Sequence, residues 1–231
     1  MEQNIQNVLE KGETKMERKD LVIIGAGGFG REVLWQLCEI NHCTDQYNIM
    51  GFVDDAPELH GKLLNGFPVI GNIQWLTDYP REICAVISVG NSKTRNRIYD
   101  KIKKNSFISF PTIIAGDVRY SDSVEFGKGC IVCLSSILTV NVVIGEFVII
   151  NLDCTIGHDV LLDDFVTLYP SVNVSGNVHI GACTEIGTGA NIIPGKNIGK
   201  NTIIGAGSVV TKDIPSDCTA VGIPAVPIKS D

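Results

Sequence analysis

The sequence predicts two domains of different class: a small α/β domain built on a parallel sheet, then a parallel β-helix of hexapeptide repeats. Three observations carry this expectation. Every sixth residue from Ile114 to Val210 is apolar, through Tyr120, Phe126, Val132, Leu138, Ile144, Ile150, Ile156, Leu162, Leu168, Val174, Ile180, Ile186, Ile192, Ile198 and Ile204. Neither an α-helix nor a half-buried sheet has a period of six, whereas short strands stacked as a β-helix do. Upstream, over 20–110, apolar runs alternate with helical stretches, the pattern of strands joined by crossover helices. A glycine-rich turn, Gly25-Ala-Gly-Gly-Phe-Gly30, joins the first such strand to the first helix.

Residues 1–19 are polar and of mixed charge, without the apolar centre of a signal peptide. They are expected to form a disordered or helical leader, with Met16 as an alternative start. The first domain, 20–110, opens with the buried strand Asp20–Ile24 and continues into a helix over Arg31–Cys38. A second strand, Tyr47–Val53, ends on Asp54-Asp55; Pro68–Ile70 is a short strand before a small helix. Ile83–Val89 is a further strand, followed by a basic amphipathic helix around Lys93–Lys104, and Phe110-Pro111 is the expected hinge. The second domain, 111–231, is the prism. Three hexads make one triangular coil, so residues eighteen apart stack at about 4.8 Å. Four residues after each apolar anchor sits a small or β-branched residue such as Cys154, Val160 or Val172, with Lys196 the exception.

Composition narrows the function. The 231 residues carry 19 Lys and Arg against 26 Asp and Glu, a net charge of −7, which argues against non-specific nucleic-acid binding. No apolar run is long enough for a membrane span. Cys130 and Cys133 form a C-x-x-C, but no second pair completes a zinc site, and the repeat turns the two side chains in different directions. The 8 cysteines read as reduced structural thiols of a cytoplasmic protein.

Two places carry chemistry. In the glycine turn, Gly25, Gly27, Gly28, Phe29 and Gly30 let backbone approach a phosphate at a helix N-terminus, and Asp54 or Asp55 ends the second strand where a carboxylate can grip ribose hydroxyls. A domain of this size suits a nucleotide or nucleotide-sugar better than NAD. In the repeat, His158 is followed by Asp159, a general base with a carboxylate to fix its tautomer, provided that a corner bends both into one cleft. One coil above His158 lies Gly176, whose N–H is placed to steady an oxyanion. Pro194 and Lys212 continue that column, reaching roughly 14 Å from His158 to Lys212 at strand spacing, enough for an extended pantetheine arm.

With these residues in view, the chain resembles the bacterial NeuD-like sialic acid O-acetyltransferase and UDP-4-amino-sugar N-acetyltransferase family. The resemblance covers about 20–229 and rests on Ile24–Glu32, Gly51–Asp55, Ser88–Arg95, Ile156–Asp159 and Gly205–Val210, with the less specific Val221–Pro227. It implies a left-handed β-helix that forms a homotrimer, with acetyl-CoA as co-substrate between neighbouring prisms and no metal. It implies a nucleotide-sugar on a Rossmann-like first domain. His158 maps onto the catalytic base and Asp159 onto its acidic partner. Gly176 maps onto the glycine that meets the thioester, and Asn151 onto a polar position near the sugar. Thr167 falls where some relatives carry a second His at the cofactor end.

The expected function is direct transfer from acetyl-CoA to the amine of a nucleotide-linked 4-amino-6-deoxy sugar. O-acetylation of a sialic acid or another sugar hydroxyl is the alternative, and a non-catalytic nucleotide-sugar-binding trimer is the alternative of another class. A prism carbonic anhydrase needs three zinc-binding histidines, and this prism offers only His158 and His179.

Overall fold

The computed structural model describes residues 18–230. Of the expected leader only Arg18 and Lys19 fall within the described residues.

The first domain is a six-stranded sheet in the order β3-β4-β2-β1-β5-β6, formed by β1 (Lys19–Ile24), β2 (Tyr47–Val53), β3 (Leu63–Leu64), β4 (Phe67–Gly71), β5 (Ile83–Ile87) and β6 (Ile108–Ser109). All pairings are parallel except β3 with β4. β1 sits in the middle because Leu21, Val22, Ile23 and Ile24 are apolar on both faces and all are buried. Helix α1 (Gly28–Thr44) runs further than the expected Arg31–Cys38 and stops where Asp45 turns left-handed at φ 51°. Helix α2 (Ile73–Thr77) and helix α3 (Ser92–Ile102) are capped by Asn72 and Asn91 side chains, which accept from Trp75 N and Thr94 N.

From β7 (Ile113–Ile114) to β23 (Val209–Val210) the chain forms seventeen two-residue strands, each ending on a hexad anchor. They stack as three parallel sheets with partners eighteen residues apart, for example Ile131 with Ile149, Thr155 with Asn173 and Leu161 with His179. The first face carries Ile113, Ile131, Ile149, Thr167, Glu185 and Ile203; the second runs from Arg119–Tyr120 to Val209–Val210; the third from Glu125–Phe126 to Asn197–Ile198. Anchors such as Ile150, Leu162, Ile180 and Ile204 are 0% exposed and fill the axis.

The corners obey a rule as regular as the core. From Gly129 to Gly207 the residue three after each anchor is left-handed, with φ between 55° and 70°. Asn, Asp, Ser and Gly dominate these positions because they tolerate that conformation best. Phe147, Phe165 and Cys183 are the exceptions, and they stack on one corner that faces the first domain.

The regular stack ends after Val210. Ile198 bridges to Ile214 and Ile204 pairs with Ala220, so the last coil has lost two residues. The antiparallel hairpin β24 (Cys218–Gly222) and β25 (Ala225–Ser230) then extends the first face.

The first domain packs on the first prism face. On one side of its sheet Leu21, Ile23, Val33, Leu34 and Leu37 meet Ile113, Ile131 and Ile149. On the other, Ile102 and Tyr99 meet Phe147 and Phe165, whose rings stack 5.2 Å apart. Cys130 belongs to the prism axis and Cys133 to the layer beneath α1, so the C-x-x-C pair faces two different cores.

Candidate active site

His158 and Asp159 occupy the turn between the strands Thr155–Ile156 and Leu161–Leu162, which is the edge joining the second and third faces. Asp159 takes the left-handed corner conformation, φ 57°. This bends its carboxylate back beside its neighbour, and His158 Nδ1 lies 2.8 Å from Asp159 Oδ2. An ionised carboxylate only accepts, so Nδ1 carries a proton, and in the neutral imidazole Nε2 is left as the acceptor. Asn141, at the same corner one coil below, donates to Asp159 Oδ1 at 3.1 Å. The hydrogen bond from His158, with that from Asn141, holds the exposed Asp159 carboxyl below the usual carboxylate range. Asn141 is not singled out by its sequence context; the period of left-handed corners is the signal that identifies it.

Gly176 lies directly against the imidazole. A Cβ at that position would collide with His158 Nε2, and among the described residues no backbone carbonyl accepts from the Gly176 N–H. Pro194 stands exposed in the next coil. Lys212 is exposed, but it lies between Val210 and Ile214, on the segment that absorbs the two-residue shortening. The expected uniform column therefore holds for His158, Gly176 and Pro194 and not for Lys212.

Thr167 departs from expectation. It is 0% exposed, its hydroxyl donates to Gly90 O at 2.7 Å and accepts from Arg95 Nη2 at 2.9 Å, and nothing of it is available to a cofactor. Its strand lies on the face that the first domain covers. Asn151 is half-buried at the far end of that face, where its Oδ1 accepts from Leu152 N at 2.8 Å, and the chain does not bring it to the His158 edge.

At the C-terminal ends of β1, β2 and β5 is a cleft of about 470 Å³, lined by Gly25, Val53, Asp54, Asp55, Val89, Thr94, Arg97 and Lys101, among others. This is where the strand order reverses about β1, the usual ligand position in such sheets. Gly25 needs its φ of +100°, and Gly30 packs so closely on the Gly25 carbonyl that a Cβ would not fit. Gly27 and Gly28 are exposed at the start of α1 and, unlike Gly25, do not line the cleft. Phe29 is turned towards the α1–prism core, so Phe29 and Gly30 shape the turn and do not line the cleft.

Asp54 is likewise committed: Oδ2 accepts from Ala26 N at 2.8 Å and Oδ1 from Ala56 N at 2.9 Å, so it braces the glycine turn more than it offers a free carboxylate. Asp55 Oδ1 accepts from Ile73 N at 2.9 Å. Arg97 and Lys101 supply positive charge opposite these acids. Both lie on the basic helix that the sequence predicts, but no motif marks them as site residues.

A buried polar junction ties this cleft to the prism. Arg95, 0% exposed, donates to the carbonyls of Val89, Gly90, Phe147, Phe165 and Val166. Burial pulls its guanidinium down to about 10, with Glu185 opposing, so it is charged at neutral pH. Glu185 accepts from Asn91 Nδ2, Ser92 N, Ser92 Oγ and the Tyr169 hydroxyl, at 2.8 to 3.0 Å. Burial, then Glu185, pushes the Tyr169 hydroxyl up to about 12. Of the other histidines, His42 is exposed, His60 Nε2 meets Asp54 O at 2.8 Å, and His179 is half-buried with Nε2 3.1 Å from Asp163 Oδ1. No group of three metal-ligating side chains gathers among the described residues.

Residues 20–102 match the family model described as the PglD N-terminal domain. No curated protein matches the chain. The acetyltransferase domain of PglB from Neisseria gonorrhoeae FA1090, solved in complex with acetyl coenzyme A, is 33% identical over 92% of this chain and 100% of its own, with a TM-score of 0.84. WeeI from Acinetobacter baumannii AYE is 31% identical over 91% of this chain and 100% of its own, TM-score 0.82. PerB from Caulobacter crescentus, solved with CoA and GDP-perosamine, is 29% identical over 91% of this chain and 97% of its own, TM-score 0.82. The prism is thus a left-handed β-helix, and the chain belongs to the hexapeptide-repeat sugar N-acetyltransferase family.

Proposed function

We propose that this chain transfers an acetyl group from acetyl-CoA to the amine of a nucleotide-linked amino sugar, with His158 as general base. The observation that carries the reading is the His158–Asp159 pair set against Gly176. Asp159 holds Nδ1–H, which leaves Nε2 to take the proton that the amine loses as its nitrogen bonds to the thioester carbon. The Gly176 N–H, in the same place, meets the oxyanion that forms there. The proton then passes to the departing thiolate, so no covalent enzyme intermediate is required. The relatives support the substrates: PglB was solved with acetyl coenzyme A and PerB with CoA and GDP-perosamine. The cleft between the glycine turn and Arg97 suits the nucleotide diphosphate, and Gly25 and Asp55 line it. A 4-amino-6-deoxy sugar is the acceptor we expect. We place the reaction in the cytoplasm, in line with the free thiols of its cysteines; among the described residues no helix is long and apolar enough to cross a membrane.

The same reading requires more than one copy of the chain. The first domain covers the first prism face, and His158 lies on the edge between the other two, opposite it. A nucleotide-sugar held in one protomer's cleft is therefore matched with the His158 of a neighbour, as in a homotrimer. Apolar residues gather around that edge: Val140, one coil below His158, is 45% exposed, with Ile137 at 45%, Val143 at 42% and Leu161 at 38%. Incubation with acetyl-CoA and a panel of UDP-, dTDP- and GDP-linked 4-amino-6-deoxy sugars beside free and CMP-linked sialic acid, with mass and NMR identification of the product, tests the proposal. An N-acetyl product is expected; an acetyl ester on free or CMP-linked sialic acid, with every amino sugar untouched, would replace the acceptor.

A further inference from the structure

Helix α3 has two faces with different partners. One faces the nucleotide cleft through Thr94, Arg97, Ile98 and Lys101. The other is bound to the prism through Ser92 and Arg95. At its N-terminus the buried Glu185 carboxylate accepts four hydrogen bonds, two of them from Ser92 and one from the capping residue Asn91. A carboxylate there also complements the helix dipole. One turn later Arg95 gathers carbonyls from both sides of the junction: Val89 and Gly90 of the cleft loop, Phe147, Phe165 and Val166 of the prism. The Ser88 hydroxyl, just before that loop, lies within hydrogen-bond reach of Ile24 O at 2.8 Å and Gly25 O at 3.1 Å, so the connection runs on into the glycine turn.

We infer that Glu185 and Arg95 are positioning residues for the nucleotide-sugar, clamping the cleft wall formed by Val89 and helix α3 onto the prism coil. Neither touches the cleft; both act through Gly90, Asn91 and Ser92. The acetyl-CoA edge at His158 and Gly176 lies on the other side of the prism and does not depend on the clamp. The inference rests on the acetyltransferase reading for its substrates, and a displacement of about 1 Å at such a wall is enough to cost affinity and rate.

The test compares wild type with Glu185→Ala, Glu185→Gln and Tyr169→Phe, all as full-length chain. Steady-state constants for the amino sugar and for acetyl-CoA are measured together with calorimetric titration of UDP, dTDP, GDP and acetyl-CoA. The expected result for Glu185→Ala is a rise of about tenfold in the KM for the amino sugar and in the nucleotide Kd, with the acetyl-CoA values within about twofold. Glu185→Gln recovers most of the loss. Tyr169→Phe, which removes one of the four bonds and needs no refolded core, shows the same split at about threefold, and keeps the test alive if Glu185→Ala does not fold. Variants with a lowered Tm but unchanged constants for both substrates would overturn the clamp and leave the acetyltransferase reading standing. Wild type that binds none of the nucleotides would overturn the cleft assignment, and the clamp with it.

Discussion

At the scale of single residues the candidate site depends on a corner. A His and an Asp adjacent in a strand point to opposite sides; they meet here because Asp159 sits in the left-handed position that recurs every sixth residue. Asp159→Asn keeps the size but removes the charge that supports the imidazolium, and is expected to lower kcat by about tenfold to a hundredfold with KM for acetyl-CoA little changed. Because its carboxyl is held down by His158 and Asn141, it is ionised throughout the neutral range. The sign follows: a depressed carboxyl keeps its contribution above the unfolded value and loses it only as pH falls through the lower folded value. An acid limb in the pH–rate profile above about pH 4 therefore belongs to another group and should persist in Asp159→Asn. Gly176→Ala has no room for its methyl beside His158 Nε2 and is expected to suppress turnover while the fold persists, as read by kcat and circular dichroism.

At the scale of elements, the hexad beat settled the prism because its period has one structural solution, and the α/β domain followed from strand–helix alternation. What stayed hidden was what no local period encodes. Thr167 occupies an ordinary hexad position, and only the docking of the first domain on that face buries it. Lys212 stands eighteen residues above Pro194, but the coil above Val210 is two residues short, a change that a residue count cannot register without the anchors beyond it. Asp54 reads as a ribose ligand and proves to be a turn brace because its partners, Ala26 and Ala56, are backbone N–H groups with no side-chain signature. The stacking of Gly176 on His158 was legible because a fixed interval converts sequence distance into height, whereas the contact of His158 with Asp159 needed the left-handed corner.

The prism core also makes a stability prediction. Ile180→Ala opens a cavity among fully buried anchors and should cost about 2–5 kcal/mol in denaturant unfolding. Thiol chemistry offers a second check: burial pushes Cys130 and Cys154 up to about 11 and Cys133 to about 12. A thiol reagent at neutral pH should label exposed Cys43 quickly and reach these three only after unfolding, as read by mass spectrometry.

At the scale of the whole molecule, the nucleotide cleft and His158 lie on opposite sides of one chain, so the proposed reaction calls for a second copy. Mixed assemblies of His158→Ala chains with chains disabled in the cleft by Arg97→Glu should regain activity that neither homo-assembly has, since some cleft–edge pairs are then intact. The role of His158 is tested by CoA thiol release from acetyl-CoA in the presence of the amino-sugar panel, wild type against His158→Ala, with acetyl-CoA binding measured on both. With His158 as the base, wild type turns over on an amino sugar and His158→Ala loses about 10²–10⁴-fold with acetyl-CoA binding retained. Equal turnover by the two proteins would contradict it, because the proton would then be leaving the amine by a route that His158 does not provide.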